Sequence, residues 1–162
     1  MLKCYFDERT DNVCKLNGLI IVSNIALSRP FQTELERIKK KYKLSLHAKN
    51  DLKDKFRRTG AVEFIAATKK AINNSENGIF YIEWNRTNDF EALAAIWQKM
   101  TPLKKQFQIV KLHHDTWSWS ADALDFINLT LKTNNWDVIE ETKGQQSVWI
   151  GCVDYLLHSK NK

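Results

Sequence analysis

Three aspartates, Asp7, Asp115 and Asp154, are the residues of this chain best placed to do chemistry together. Asp7, with Glu8 beside it, follows the apolar run Leu2–Phe6. Asp115 closes the run Gln-Ile-Val-Lys-Leu-His-His-Asp, at the carboxyl end of a strand, where α/β sheets place their sites. Asp154 lies inside the segment Val148-Trp-Ile-Gly-Cys-Val-Asp-Tyr-Leu-Leu157, which is apolar nearly all round and so predicts a largely buried helix. A carboxylate there must be paired, metal-bound or open to a cleft, because an unpaired buried charge is very costly. Each acid also has a plainer reading: a turn residue for Asp7 and Glu8, a loop residue or helix cap for Asp115, a salt bridge or exposed rim for Asp154. Taken together, carboxylates from a first strand, a central strand and a late helix can meet at one point. Such a gathering repels itself unless a hard cation sits within it, and Mg²⁺ and Mn²⁺ take oxygen ligands. Paired ions of this kind activate water and stabilise the leaving oxygen in phosphodiester cleavage.

Other residues could assist. His47, in Ser-Leu-His-Ala-Lys-Asn-Asp, suits metal binding or proton transfer, against the plainer reading of a structural histidine. His113 shares a strand face with Asp115, and His114 points the other way. Trp117 and Trp119 could stack on nucleobases or close a core. Basic clusters at 37–43 and 53–58 could follow a phosphate backbone, or form ordinary solvated helix surface.

Periodicity supplies the elements that must position these groups. Leu2–Phe6 and Lys15–Asn24 read as an antiparallel hairpin around a polar turn at 7–12, across which Cys4 and Cys14 could face each other. A helix is expected after Ser28-Arg-Pro30, with Phe31, Leu35, Ile38 and Tyr42 on one face, then a short strand at Leu44–His47. Residues 51–58 read as helix or loop, with Gly60 as a break before a helix at 61–73. Beyond them strand and helix alternate. Strands are expected at 78–84, 107–114 and 136–141. Helices are expected from Asn88 or Asp89 to a stop at Pro102, from a Ser120 cap, and at 145–158. Alternation of this kind predicts parallel crossover units, so the whole is a mixed sheet flanked by helices, in one domain over 1–162.

Composition narrows the partners. Lys and Arg number 25 against 19 acids, a net charge of +6 that favours nucleic-acid phosphates. No apolar run is long enough to cross a bilayer and no secretory signal is visible, so a cytoplasmic protein is expected. Three cysteines without a CxxC pair argue against a disulfide framework or a thiolate zinc site. There is no phosphate-cradling glycine loop, GxSxG or HExxH.

Four segments also carry a resemblance. Tyr5-Phe-Asp-Glu-Arg9 is similar to a first strand ending Asp-Glu-Ser-Gly. Leu44-Ser-Leu-His-Ala-Lys-Asn-Asp51 is similar to a Glu-Ile-His segment. Val110-Lys-Leu-His-His-Asp115 is similar to a later strand ending in Asp, and Ile150-Gly-Cys-Val-Asp-Tyr155 to a last-helix Leu-Gln-Leu-Ala-Asp motif. In this order the chain resembles an uncharacterised prokaryotic and phage family with a ribonuclease H-like fold. Two departures stand out: Arg9-Thr10 replaces Ser-Gly, and Ser45 replaces the Glu, with Asp51, Asp54 or Glu83 as substitutes. The resemblance implies a ribonuclease H-like mixed sheet, and Asp7, Asp115 and Asp154 as ligands of Mg²⁺ or Mn²⁺ with Glu8 and His47 assisting. It implies a metal-dependent nuclease acting on DNA or RNA. The competing expectations are a catalytically inactive module and a small-molecule enzyme. The module would bind nucleic acid, a protein partner or a second copy of the chain, in phage–host conflict. The enzyme would use His47 or His113 as base.

Overall fold

The computed structural model describes residues 2–12, 14–72, 75–104, 110–115, 119–141 and 146–159. Strands β1 (Leu2–Thr10) and β2 (Lys15–Val22) form the hairpin, and three helices follow: α1 (Ile25–Tyr42), the one-turn α2 (Ala48–Asp51) and α3 (Lys55–Ile72). Then come β3 (Ile79–Asn85), α4 (Asp89–Lys104), β4 (Val110–Asp115), α5 (Ala121–Phe126, prolonged by a π turn), β5 (Trp136–Glu141) and α6 (Val148–His158). The strands make one sheet in the order β3-β2-β1-β4-β5. β1 pairs antiparallel with β2 and parallel with β4; β2 pairs antiparallel with β3, and β4 parallel with β5. β2 therefore runs against all the others. The architecture is α/β, a five-stranded mixed sheet flanked by helices. Among the described residues no helix is long and apolar enough to cross a membrane.

Strand alternation sorts the side chains into two cores. Cys4, Phe6, Leu19, Ile21, Val110 and Leu112 face α4 and α5, meeting Leu93, Ile96, Met100 and Leu131. Tyr5, Ile20, Val22 and Ile79 face α1, α3 and α6, meeting Leu35, Ile38, Phe64, Trp149 and Val153. Asp7 falls on the same face as Tyr5, so this second layer contains the acids.

Several boundaries differ from expectation. β1 runs on to Thr10, so Asp7 and Glu8 lie within the hairpin and not in its turn. α1 starts at Ile25, ahead of Pro30, because Asn24 caps it by accepting from Leu27 N at 3.0 Å. Gly60 lies buried inside α3 and does not break it. α4 runs through Pro102 to Lys104. Leu44–His47 is not a strand: Lys43 and Leu46 adopt positive φ, 52° and 64°, which no ladder accommodates. Cys4 pairs with Ile21 across the hairpin, not with Cys14, and all three thiols are free and buried.

The close approach of α6 to the sheet depends on Gly18. A Cβ there would lie 2.7 Å from Val153 Cγ1, on a β-branched side chain that cannot swing away in a helix. Gly18→Val should therefore lift α6 and lower stability by about 1–3 kcal/mol. Thermal unfolding should register the loss, and an unchanged midpoint would contradict this packing.

Candidate functional site

The parallel pairing of β1 with β4 ends at Phe6 opposite His114. The next residue on each strand is an acid, so Asp7 and Asp115 stand on adjacent strands, which lie about 4.8 Å apart. The register extends this row across the sheet. Gly18 lies opposite Asp7, Glu83 opposite Gly18, and Glu141 opposite Asp115. All point to the α6 face. Four carboxylates, Glu83, Asp7, Asp115 and Glu141, thus cross one face of β3, β1, β4 and β5 beside the point where the β1–β4 pairing ends, and glycine occupies the β2 position where α6 lands. Asp154 follows Val153 on α6 and adds a fifth acid from above.

Asp7 is buried. Its Oδ1 accepts from Glu8 N at 2.8 Å, and among the described residues no lysine or arginine pairs with it. Burial, and then the charges of Asp154 and Asp115, hold its carboxyl well above the usual range, against the pull of the Glu8 amide. Asp154 behaves oppositely. Burial raises it, but His158 and His47 outweigh that and bring it below its ordinary value. His158 Nδ1 lies 3.0 Å from Oδ1, and Ala48 N donates to the same oxygen at 3.3 Å. His47 Nδ1 stands 3.7 Å from Oδ2, a charge contact too long for a hydrogen bond. Both histidines are raised in turn, chiefly by Asp154.

The segment before α6 caps the other end of the row. Gln146 Nε2 donates to Asp115 Oδ1, and Ser147 N donates to Glu141 Oε2 at 2.9 Å. His113 Nδ1 sits 3.2 Å from Glu141 Oε1, close enough for a charge contact but misaligned for a hydrogen bond. Burial raises Glu141; His113 and the Ser147 amide outweigh it and lower the net value.

The structure thus brings Asp7, Asp115, Asp154 and His47 into one neighbourhood. It separates Glu8 from them: Glu8 points to the opposite face and pairs with Arg86. The strand period of two explains this, since consecutive residues cannot share a face. His113 and His114 divide between the faces, His113 stacked on Tyr5 and His114 against Trp119. Trp119 packs on the α4/α5 core, away from the acids; Trp117 lies outside the described residues. Asp51 is fully buried, accepting from Ser45 N at 3.0 Å, from Ser45 Oγ at 2.8 Å and from the Tyr155 hydroxyl. It anchors the segment that carries His47. Glu83 accepts from the Tyr81 hydroxyl at 2.8 Å, and Asp54 caps α3 by accepting from Arg57 N at 2.8 Å.

Glu141, Gln146, His158 and Gly18 did not stand out in the sequence. Their signal is the strand register and the landing point of α6, and neither is visible in one chain read linearly.

The donor chemistry suits a hard divalent cation: carboxylates converge, and among the described residues no cationic side chain balances the buried Asp7. As they stand, however, no three of the described His, Cys, Asp and Glu side chains are arranged to hold an ion. The contacts of Asp154 with two histidines and of Asp115 with Gln146 draw those carboxylates to other partners. Compared with protein-family models, curated proteins and solved structures, the chain matches none.

Proposed function

We propose that the chain is a ribonuclease H-like, metal-dependent nuclease that hydrolyses phosphodiester bonds of DNA or RNA in the cytoplasm. The observation that carries this reading is the burial of Asp7 between Asp115 and Asp154, where the parallel pairing of β1 with β4 ends. Proteins do not keep such a group without return, since it costs stability. The strand order, with β2 alone reversed, supports the ribonuclease H-like assignment. The net charge of +6 supports a polyanionic substrate.

Asp7, Asp115 and Asp154 would hold Mg²⁺ or Mn²⁺. A cation bound there supplies an acidified water and charge stabilisation on the leaving oxygen. The chain does the rest. Gln146 fixes the orientation of Asp115. His47, between Asp154 and the surface, is placed to accept or return a proton. Asp51 holds His47 in register through Ser45 and Tyr155. The Gly18 contact sets how closely Asp154 approaches Asp7.

Cleavage of labelled single- and double-stranded DNA and RNA with Mn²⁺ tests the reading. Wild type should cleave at least one of these, and Asp7→Asn and Asp154→Asn should not. Unchanged cleavage in both variants would reject the site. The second reading, a non-catalytic module on the same fold, is favoured by two observations. Asp154 already has two histidine partners, and Ser45 stands where the resembling family has Glu. That reading expects nucleic-acid binding with no cleavage.

A further inference from the structure

A pocket of about 230 Å³ opens beside the acid row, walled by Lys39, Leu44, Leu46, His47, Asn50 and Gln146. Two of these already belong to the site, Gln146 through Asp115 and His47 through Asp154. Pocket and acids therefore share side chains. The wall is also built against backbone preference. Lys43 and Leu46 are both left-handed, and such strain persists only where the surroundings enforce it. Asp51 grips Ser45 between them. Leu46 itself packs on Gly151, where a Cβ would come within 2.7 Å of its Cδ2.

The lining is chemically polarised. Lys39 supplies a cation, Asn50 and Gln146 supply amides, and Leu44 and Leu46 supply an apolar wall; among the described residues no acid lines the pocket. Exposed Lys40, Lys43, Lys49 and Lys53 lie on the same and neighbouring turns. A ligand that is anionic at one end and flat and apolar at the other matches this lining.

Resting on the nuclease reading, we infer that this pocket seats one unstacked nucleotide of a single-stranded nucleic acid whose next phosphate lies over Asp7 and Asp115. The space takes one nucleotide and not a base pair, so the base must be free to leave its stack, as in single strands, loops and ends. Lys39 pairs with the phosphate of the seated nucleotide. The amides meet base or sugar, and the two leucines lie against the base plane.

The test is fluorescence anisotropy in Ca²⁺, a divalent cation that also takes oxygen ligands, with a 5′-labelled ten-nucleotide single strand, as DNA and as RNA, and its blunt duplex. Wild type should bind at least one single strand about tenfold or more tighter than the duplex. Lys39→Ala should weaken that binding about tenfold and reduce the salt slope by about one. Asn50→Trp, on an exposed one-turn helix, should fill the pocket and remove most of the affinity with the melting temperature unchanged. Lys132→Ala, at the far edge of the sheet, should change little. Absent binding by wild type, equal affinity for the duplex, or full affinity in both pocket variants would overturn the inference. The nuclease reading fails separately, by tight single-strand binding without Mn²⁺-dependent cleavage.

Discussion

Asp7→Asn should reduce Mn²⁺-dependent cleavage by about a thousandfold or more while making the metal-free protein more stable. The first effect follows from losing a charged oxygen ligand, which removes several kcal/mol of transition-state stabilisation. The second follows from electrostatics. Asp7 is buried beside Asp154 and Asp115, so its charged form is disfavoured in the fold and its carboxyl is raised. Asparagine keeps the oxygen that accepts from Glu8 N and discards the charge. The gain should be about 1–2 kcal/mol, or about 2–8 °C in melting temperature at this size. The sign with pH is fixed. Because the folded state holds its proton more tightly than the unfolded one, stability contributed by Asp7 falls as pH rises through the raised value. The advantage of asparagine should therefore vanish below about pH 4, where the unfolded aspartate is protonated too, and grow as pH rises above it. A structural aspartate would behave in reverse, and a destabilised Asp7→Asn variant would contradict the account.

Asp51→Ala should cost about 3 kcal/mol, or about 6–12 °C, and take activity with it. Asp51 is fully buried and accepts three hydrogen bonds, two from Ser45 and one from Tyr155. Alanine leaves those donors without their acceptor inside the protein, which is more costly than losing the bonds at a surface. The left-handed turn at Leu46 would lose its anchor, and His47 would lose its position beside Asp154. Asp51→Asn, which retains an acceptor toward Ser45, should fall between the two. Thermal unfolding and cleavage measured on the same preparations separate the effects. Equal melting temperatures for Asp51→Ala and wild type would show that the segment is held by other means.

The parts of this structure that were legible in the sequence are those written in short-range periodicity. Gly-Ile-Phe-Tyr-Ile-Glu-Trp declared β3, and the stripe Phe90, Leu93, Trp97 and Met100 declared α4. The all-apolar run around Asp154 declared a buried helix, and α6 is buried from Val148 to Leu157. The opposed facing of His113 and His114 followed from the pleat alone. The same rule separates Asp7 from Glu8 only once both are known to lie in a strand; the polar run at 7–12 reads as a turn, and turns have no period of two.

Long-range features were less accessible. Nothing in the sequence aligns Asp115 with Asp7 rather than with Phe6; the β1–β4 register does that. Glu141 joins the row only through a further register, and Gln146 and His158 only through the placement of α6. Leu44–His47 resembled a strand in composition. It became a strained turn because a buried aspartate six residues on from Ser45 captures its backbone. Tertiary hydrogen bonding there overrode local propensity.

The central claim is that Asp7, Asp115 and Asp154 share one divalent cation, and Mn²⁺ titration calorimetry addresses it directly. Wild type should bind saturably, with a Kd in about the micromolar range, and Asp7→Asn, although better folded, should show no heat of binding. Silence from the wild-type protein, or equal binding by Asp7→Asn, would contradict it.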